Sequence, residues 1–151
     1  MNVYIDNRQE KFRITEDTDK LVEAVIRESL KVEGLTDNYE ISVSYVDNNE
    51  IKDLNREYRG IDKETDVLSF PMDEDLPIPT PILGDIIISI EKAYEQSLDY
   101  GHSLDREIAY LTAHSMFHLM GYDHMNDEEK EIMRNKEKCV MKNLKIFKGS
   151  S

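Results

Sequence analysis

His114, His118 and His124 stand in an H-x3-H-x5-H arrangement, and three of the chain's 4 histidines fall within this one short segment. On a helix, positions four apart share a face about one turn from each other, so His114 and His118 set two imidazoles side by side. Gly121 can take the left-handed conformation that ends a helix and turns the chain, which lets His124 return as a third donor. Three neutral nitrogens suit a catalytic zinc, whose fourth position is left to water or substrate. The expectation is therefore one Zn2+ ion per chain on His114, His118 and His124. Separately hydrogen-bonded histidines are commoner in proteins at large, but spacing and clustering argue against them here. Asp123 is the other strong donor in the segment, and its coordination would instead close a four-ligand structural site. His102 falls between two helices and reads as a solvated loop residue.

The His-x3-His-x2-Gly-x2-His spacing also fits the zincin pattern of metal proteases, but Ser115 stands where those enzymes carry glutamate as general base. A conventional peptidase is disfavoured, and a proton must pass to the substrate, to Asp123 or to Asp85.

The histidine helix is predicted over 104–120 and is apolar almost all round from Ile108, the mark of a buried helix. Leu21, Val22, Val25, Ile26 and Leu30 recur at helical spacing over 18–32, ahead of Gly34. Val3 and Ile5, then Phe12 and Ile14, alternate with polar neighbours, as in one opening strand or a loose hairpin. Tyr39, Ile41, Val43 and Tyr45 alternate as a half-buried strand, and Asp47-Asn48-Asn49 then caps a short helix carrying Ile51, Leu54 and Tyr58 and stopped by Gly60. Val67-Leu68-Ser69-Phe70 reads as a strand closed by Pro71, and Ile86-Ile87-Ile88 as a strand too continuously apolar for an edge. Between them, 72–81 is acidic and carries Pro77, Pro79 and Pro81, which predicts an irregular surface loop. Helices follow near 90–99, 104–120 and 127–144. The last begins after Asn126, with Glu129 completing a capping-box-like pair and an apolar seam of Ile132, Met133, Cys139, Val140 and Leu144. The order β-α-β-α-β-β-α-α-α predicts an α+β fold, a small mixed sheet of about four strands under about five helices, with a zincin-like histidine helix in the core.

A length of 151 residues suits one domain, taken as 1–148 with a frayed tail at 149–151. The opening residues turn polar at once and no apolar run approaches the roughly 20 residues that span a bilayer, so a cytoplasmic protein with no membrane partner is expected. Oligomeric state is not legible. Cys139, the single cysteine, reads as a small apolar core residue. A net charge of −13 repels polyanions over most of the surface, so nucleic-acid binding needs a local basic site. Arg134, Lys138, Lys142 and Lys145 form a stripe at helical spacing, and 134–148 holds only Glu137 as acid. The stripe is either a solvated face that complements the helix C-terminus or a contact for RNA or the ribosome.

The run His114-Ser115-Met116-Phe117-His118-Leu119-Met120-Gly121-Tyr122-Asp123-His124 resembles the signature of the bacterial YbeY proteins. Residues 54–71, with Arg59-Gly60-Ile61-Asp62 at their centre, are similar to the family's second motif, and Leu83-Gly84-Asp85-Ile86-Ile87-Ile88-Ser89 to its third. The resemblance covers about 40 to 145. It implies a single-strand-specific, metal-dependent endoribonuclease that matures ribosomal RNA, notably the 3′ end of the small-subunit RNA, and serves ribosome quality control. Single-stranded or ribosomal RNA and the ribosome or its proteins are the implied partners. By the same resemblance the three histidines bind zinc and Arg59 lies in the cleft as a catalytic or RNA-binding residue. Spacing alone leaves Arg59 a solvated arginine, though its guanidinium could fork onto a phosphate from there. Ser115 stands where the family typically has a glycine, which adds one hydroxyl beside the ligands and leaves the metal assignment intact. Asp66 and Asp85 flank the strands facing the histidine helix, where capping or turn roles suit them equally. The rivals are a zinc-dependent peptidase or amidohydrolase on the same site, and a non-catalytic ribosome-assembly factor with a structural metal.

Overall fold

Two β-α-β passes begin the chain: β1 (Asn2–Asn7), α1 (Glu16–Val32), β2 (Glu40–Val46), α2 (Asn48–Arg59) and β3 (Val67–Pro71). After β4 (Ile82–Ser89) the rest is helical, with α3 (Ile90–Tyr100), α4 (Leu104–Leu119) and α5 (Asp127–Asn143). The computed structural model describes residues 1–72, 82–123 and 125–146. The sheet runs β1-β2-β4-β3, with β1, β2 and β4 parallel and β3 antiparallel to β4. This is the expected α+β architecture, a mixed four-stranded sheet with five helices among the described residues. The acidic, proline-bearing segment lies outside those residues except for Met72, as does the expected tail at 149–151.

The opening segment is one strand and not a hairpin. Gln9 closes a turn after β1, donating from Nε2 to the Phe12 carbonyl and accepting from the Phe12 amide, and Phe12 and Ile14 then pack on the core without pairing. Ile86 and Ile88 of β4 join Ile41, Val43 and Tyr45 of β2 against α1, α3 and α4, while Ile87 points the other way into a cluster with Val46, Ile51 and Leu68 beneath α2. Helices on both faces explain the unbroken apolar run of β4.

The histidine helix α4 is shared between two clusters. Ile108, Leu111, Met116 and Leu119 press on the sheet, and Ala109, Ala113 and Phe117 meet Val25 of α1 and Met133, Val140 and Met141 of α5. This is why its sequence is apolar almost all round. Gly84 of β4 lets the end of α4 come close. Its φ is +152°, and a Cβ there would sit 2.4 Å from the Phe70 carbonyl oxygen and 2.9 Å from Leu119 Cδ2.

The seam of α5 differs from expectation. Met133, Val140 and Met141 are buried, but Cys139 is exposed and Ile132 is 44% exposed. The buried positions of the helix are 133, 137, 140 and 141, with Leu144 partly buried beyond them, so the seam passes through Glu137, and residue 139 falls on the opposite side of the helix.

Candidate active site

Ser103 starts α4 by accepting from the Arg106 amide at 3.1 Å, and the helix then carries His114 and His118 to its last two turns. Their rings meet edge to face at 4.7 Å and 86°, with the two Nε2 atoms 3.2 Å apart. Each Nδ1 is occupied. His114 Nδ1 lies 3.0 Å from Glu137 Oε2, and His118 Nδ1 lies 3.1 Å from the Tyr122 carbonyl oxygen. An Nδ1–H given to a carboxylate or carbonyl selects the tautomer in which Nε2 keeps its lone pair, the form that ligates metal. Two nitrogens on a tetrahedral zinc, each about 2.1 Å from the ion, stand about 3.4 Å apart, so the observed separation fits an ion between them. His124 lies outside the described residues, and among those residues no group of three or more metal-binding side chains converges.

The support around the pair comes from distant segments. Beyond Gly121, whose φ is +100°, the Tyr122 hydroxyl donates to Glu33 Oε1 at 2.8 Å and its ring meets Phe117 edge-on. Lys136 of α5 binds the same Glu33 at 3.2 Å. Helices α1 and α5 together therefore hold the Tyr122 carbonyl against His118. Glu137, only 3% exposed, was not apparent as a site residue, because an acid inside a basic stretch reads as surface. The available signal was its place on the apolar seam of α5.

His114 and His118 open onto a cavity of about 730 Å³ that Arg59, Asp66, Ser69 and Asp123 also line. Arg59 is the last residue of α2, which Asp47 caps by accepting from the Glu50 amide and Gly60 ends at φ 69°. Asp66 shares the cavity but also works as a turn residue, accepting from the Val67 amide at 2.8 Å and from Gln96 Nε2 at 3.3 Å. Asp85, on β4 opposite Ser42 and Phe70, is not in that lining, so of the two carboxylates considered as proton acceptors only Asp123 faces the histidines' cavity. Ser115 is fully buried, and its hydroxyl is hydrogen-bonded to Ser69 of β3.

His102 is not a solvated loop residue. Its side chain is 8% exposed, with Nε2 2.9 Å from Glu107 Oε1 and Nδ1 2.8 Å from the Arg106 guanidinium. The cause is Glu107, buried on the first turns of α4, which requires a donor and draws the imidazole inward.

The family model described as Endoribonuclease YbeY matches residues 4–145. The protein named Endoribonuclease YbeY in Thermoanaerobacter sp. (strain X514) is 55% identical over 159 residues, covering 97% of this chain and 99% of its own. The protein of that name in Clostridioides difficile (strain 630) is 49% identical over 150 residues, covering 97% and 98%. A Thermotoga maritima protein solved in solution shares the fold, with a TM-score of 0.57 at 24% identity over 95% of this chain and 91% of that one.

Proposed function

The chain belongs to the YbeY endoribonuclease family, and from that premise we propose that it is a metal-dependent endoribonuclease that cleaves single-stranded RNA during ribosomal RNA maturation, including the 3′ end of the small-subunit RNA, and serves ribosome quality control. The observation that supports this reading is a single cavity bounded by Arg59 and by two histidine Nε2 atoms 3.2 Å apart.

His114, His118 and His124 would hold one zinc ion. When bound, such an ion supplies Lewis acidity toward a phosphoryl oxygen and lowers the pKa of a coordinated water to about 7. Glu137 and the Tyr122 carbonyl keep the two imidazoles oriented and in the ligating tautomer. Arg59 forks onto non-bridging phosphate oxygens and balances the charge that develops in the transition state. Asp123, on the same cavity, is the side chain placed to take a proton. The peptidase alternative lacks the glutamate base of the zincin pattern, because position 115 is a serine, whose hydroxyl is buried against Ser69.

Metal analysis of the pure protein, paired with cleavage of a single-stranded RNA, tests the assignment. About one zinc per chain is expected in wild type, neither zinc nor cleavage in His114→Ala, and in Arg59→Glu full zinc with cleavage reduced about 100-fold or more. Stoichiometric zinc in His114→Ala, or undiminished cleavage by Arg59→Glu, would contradict it.

A further inference from the structure

A second groove follows the seam between α4 and α5 and joins the histidine cavity at His114. Its near part, about 240 Å³, lies between Tyr110, His114, Lys130 and Arg134. Its far part, about 360 Å³, is bordered by Arg106, Lys138 and Lys142 above an apolar floor of Met141 and Ile146. The only acid in either lining is Glu137, which is buried and hydrogen-bonded to His114.

A groove with five basic side chains is unusual in a chain of net charge −13. Among the described residues Lys130, Arg134, Lys138 and Lys142 form no ion pair; other basic side chains, Lys20 and Lys31 among them, are likewise unpaired, so what sets the groove apart is that its unpaired cations line one continuous surface. Their charge is uncompensated, and an anion arriving there displaces no existing partner. Arg134, Lys138 and Lys142 are four residues apart, a rise of about 6 Å per step along one helix face. That is a line of charge, which matches a polymer better than a small anion. Tyr110 stands where the line meets the histidines, 39% exposed, its hydroxyl near Glu137 and its ring inclined 22° to the His114 imidazole. An exposed aromatic beside a basic groove is the usual platform for an unpaired base.

We infer that this groove carries the RNA strand flanking the scissile phosphate: a base stacks on Tyr110, and successive phosphates follow Arg134, Lys138 and Lys142 with Arg106 on the facing bank. The inference rests on the nuclease reading above and adds the path of the substrate. An acidic protein segment would satisfy the charge but has no base to stack on Tyr110.

The test is a salt titration of binding to a labelled single-stranded oligoribonucleotide, with cleavage measured on the same preparations. The Lys138→Gln/Lys142→Gln variant should flatten the slope of log affinity against log salt by about 1.4, the equivalent of two phosphate contacts on a single strand. The exposed lysines of α1, in Lys20→Gln/Lys31→Gln, should leave the slope unchanged. In cleavage, the groove variant should raise KM and keep kcat within about twofold. Tyr110→Ala should weaken binding about tenfold while Tyr110→Phe does not. A wild-type slope in the groove variant, with wild type still cleaving RNA, overturns the path and spares the nuclease assignment. Wild type that neither binds nor cleaves RNA overturns both. A groove variant that loses affinity for polyglutamate and not for RNA also overturns the path.

Discussion

A buried carboxylate is stable only where donors meet it, and Glu137 is met by His114 Nδ1 at 3.0 Å. Glu137→Gln keeps the shape and an accepting oxygen but removes the charge, so metal affinity or activity should fall about 10- to 100-fold with little change in Tm. A metal-competition titration checks this, and wild-type affinity would remove the supporting role. Glu107 makes a different prediction. Burial lifts its carboxyl above the ordinary value of 4.5, and the hydrogen bond with His102 partly opposes the lift. A raised value in the folded state means that the native protein holds this proton to higher pH than the unfolded chain. The stability it contributes is complete below the unfolded value and is lost as pH rises through the folded one. Glu107→Gln, which has no such proton, should show a flatter Tm profile than wild type from pH 4.5 upward; superimposable profiles would contradict the shift. At this scale the sequence carried the donors and not their supports. His114 and His118 were legible because four-residue spacing is a local rule, whereas the partner of His114 lies 23 residues away on another helix.

Helices were legible for similar reasons. Asn126 accepts from the Glu129 amide at 2.9 Å and Glu129 reaches back to the Met125 amide at 3.1 Å, as their spacing implied. Asn126→Ala should cost about 1 kcal/mol of stability, measurable by denaturant unfolding, because one orphan amide loses its acceptor. Sheet order was not legible, since parallel neighbours such as β1 and β2 are joined across a whole helix and their alternation does not name a partner. The importance of Gly84 was equally hidden, because it depends on Leu119 arriving from α4. Gly84→Ala should destabilise the protein by about 3 kcal/mol, through the strained φ and the clash with Phe70 and Leu119. It should also weaken metal binding, because Leu119 follows His118 directly; a variant with wild-type Tm would show that strand and helix can part without penalty.

Across the whole molecule, elements far apart in sequence converge on one histidine pair: α1 through Glu33 at its end, α5 through Glu137 and Lys136, and α2 through Arg59 in the lining of the same cavity. An ion bound only by the native arrangement should therefore stabilise the entire fold, by about 2.7 kcal/mol at a hundredfold excess over Kd. Chelation should lower the wild-type Tm and leave that of His114→Ala unchanged. Equal sensitivity in the two proteins would place the ion elsewhere. No helix among the described residues is long and apolar enough to cross a membrane. The bond between His114 and Glu137 also sets an order in time. Both α4 histidines precede α5 in the chain, so a chain cut short at the end of α4 would carry these imidazoles without the carboxylate that meets His114. On the proposed reading, the competence to cut RNA should then arrive only with the docking of the last helix, and a chain truncated before α5 should be an unarmed one.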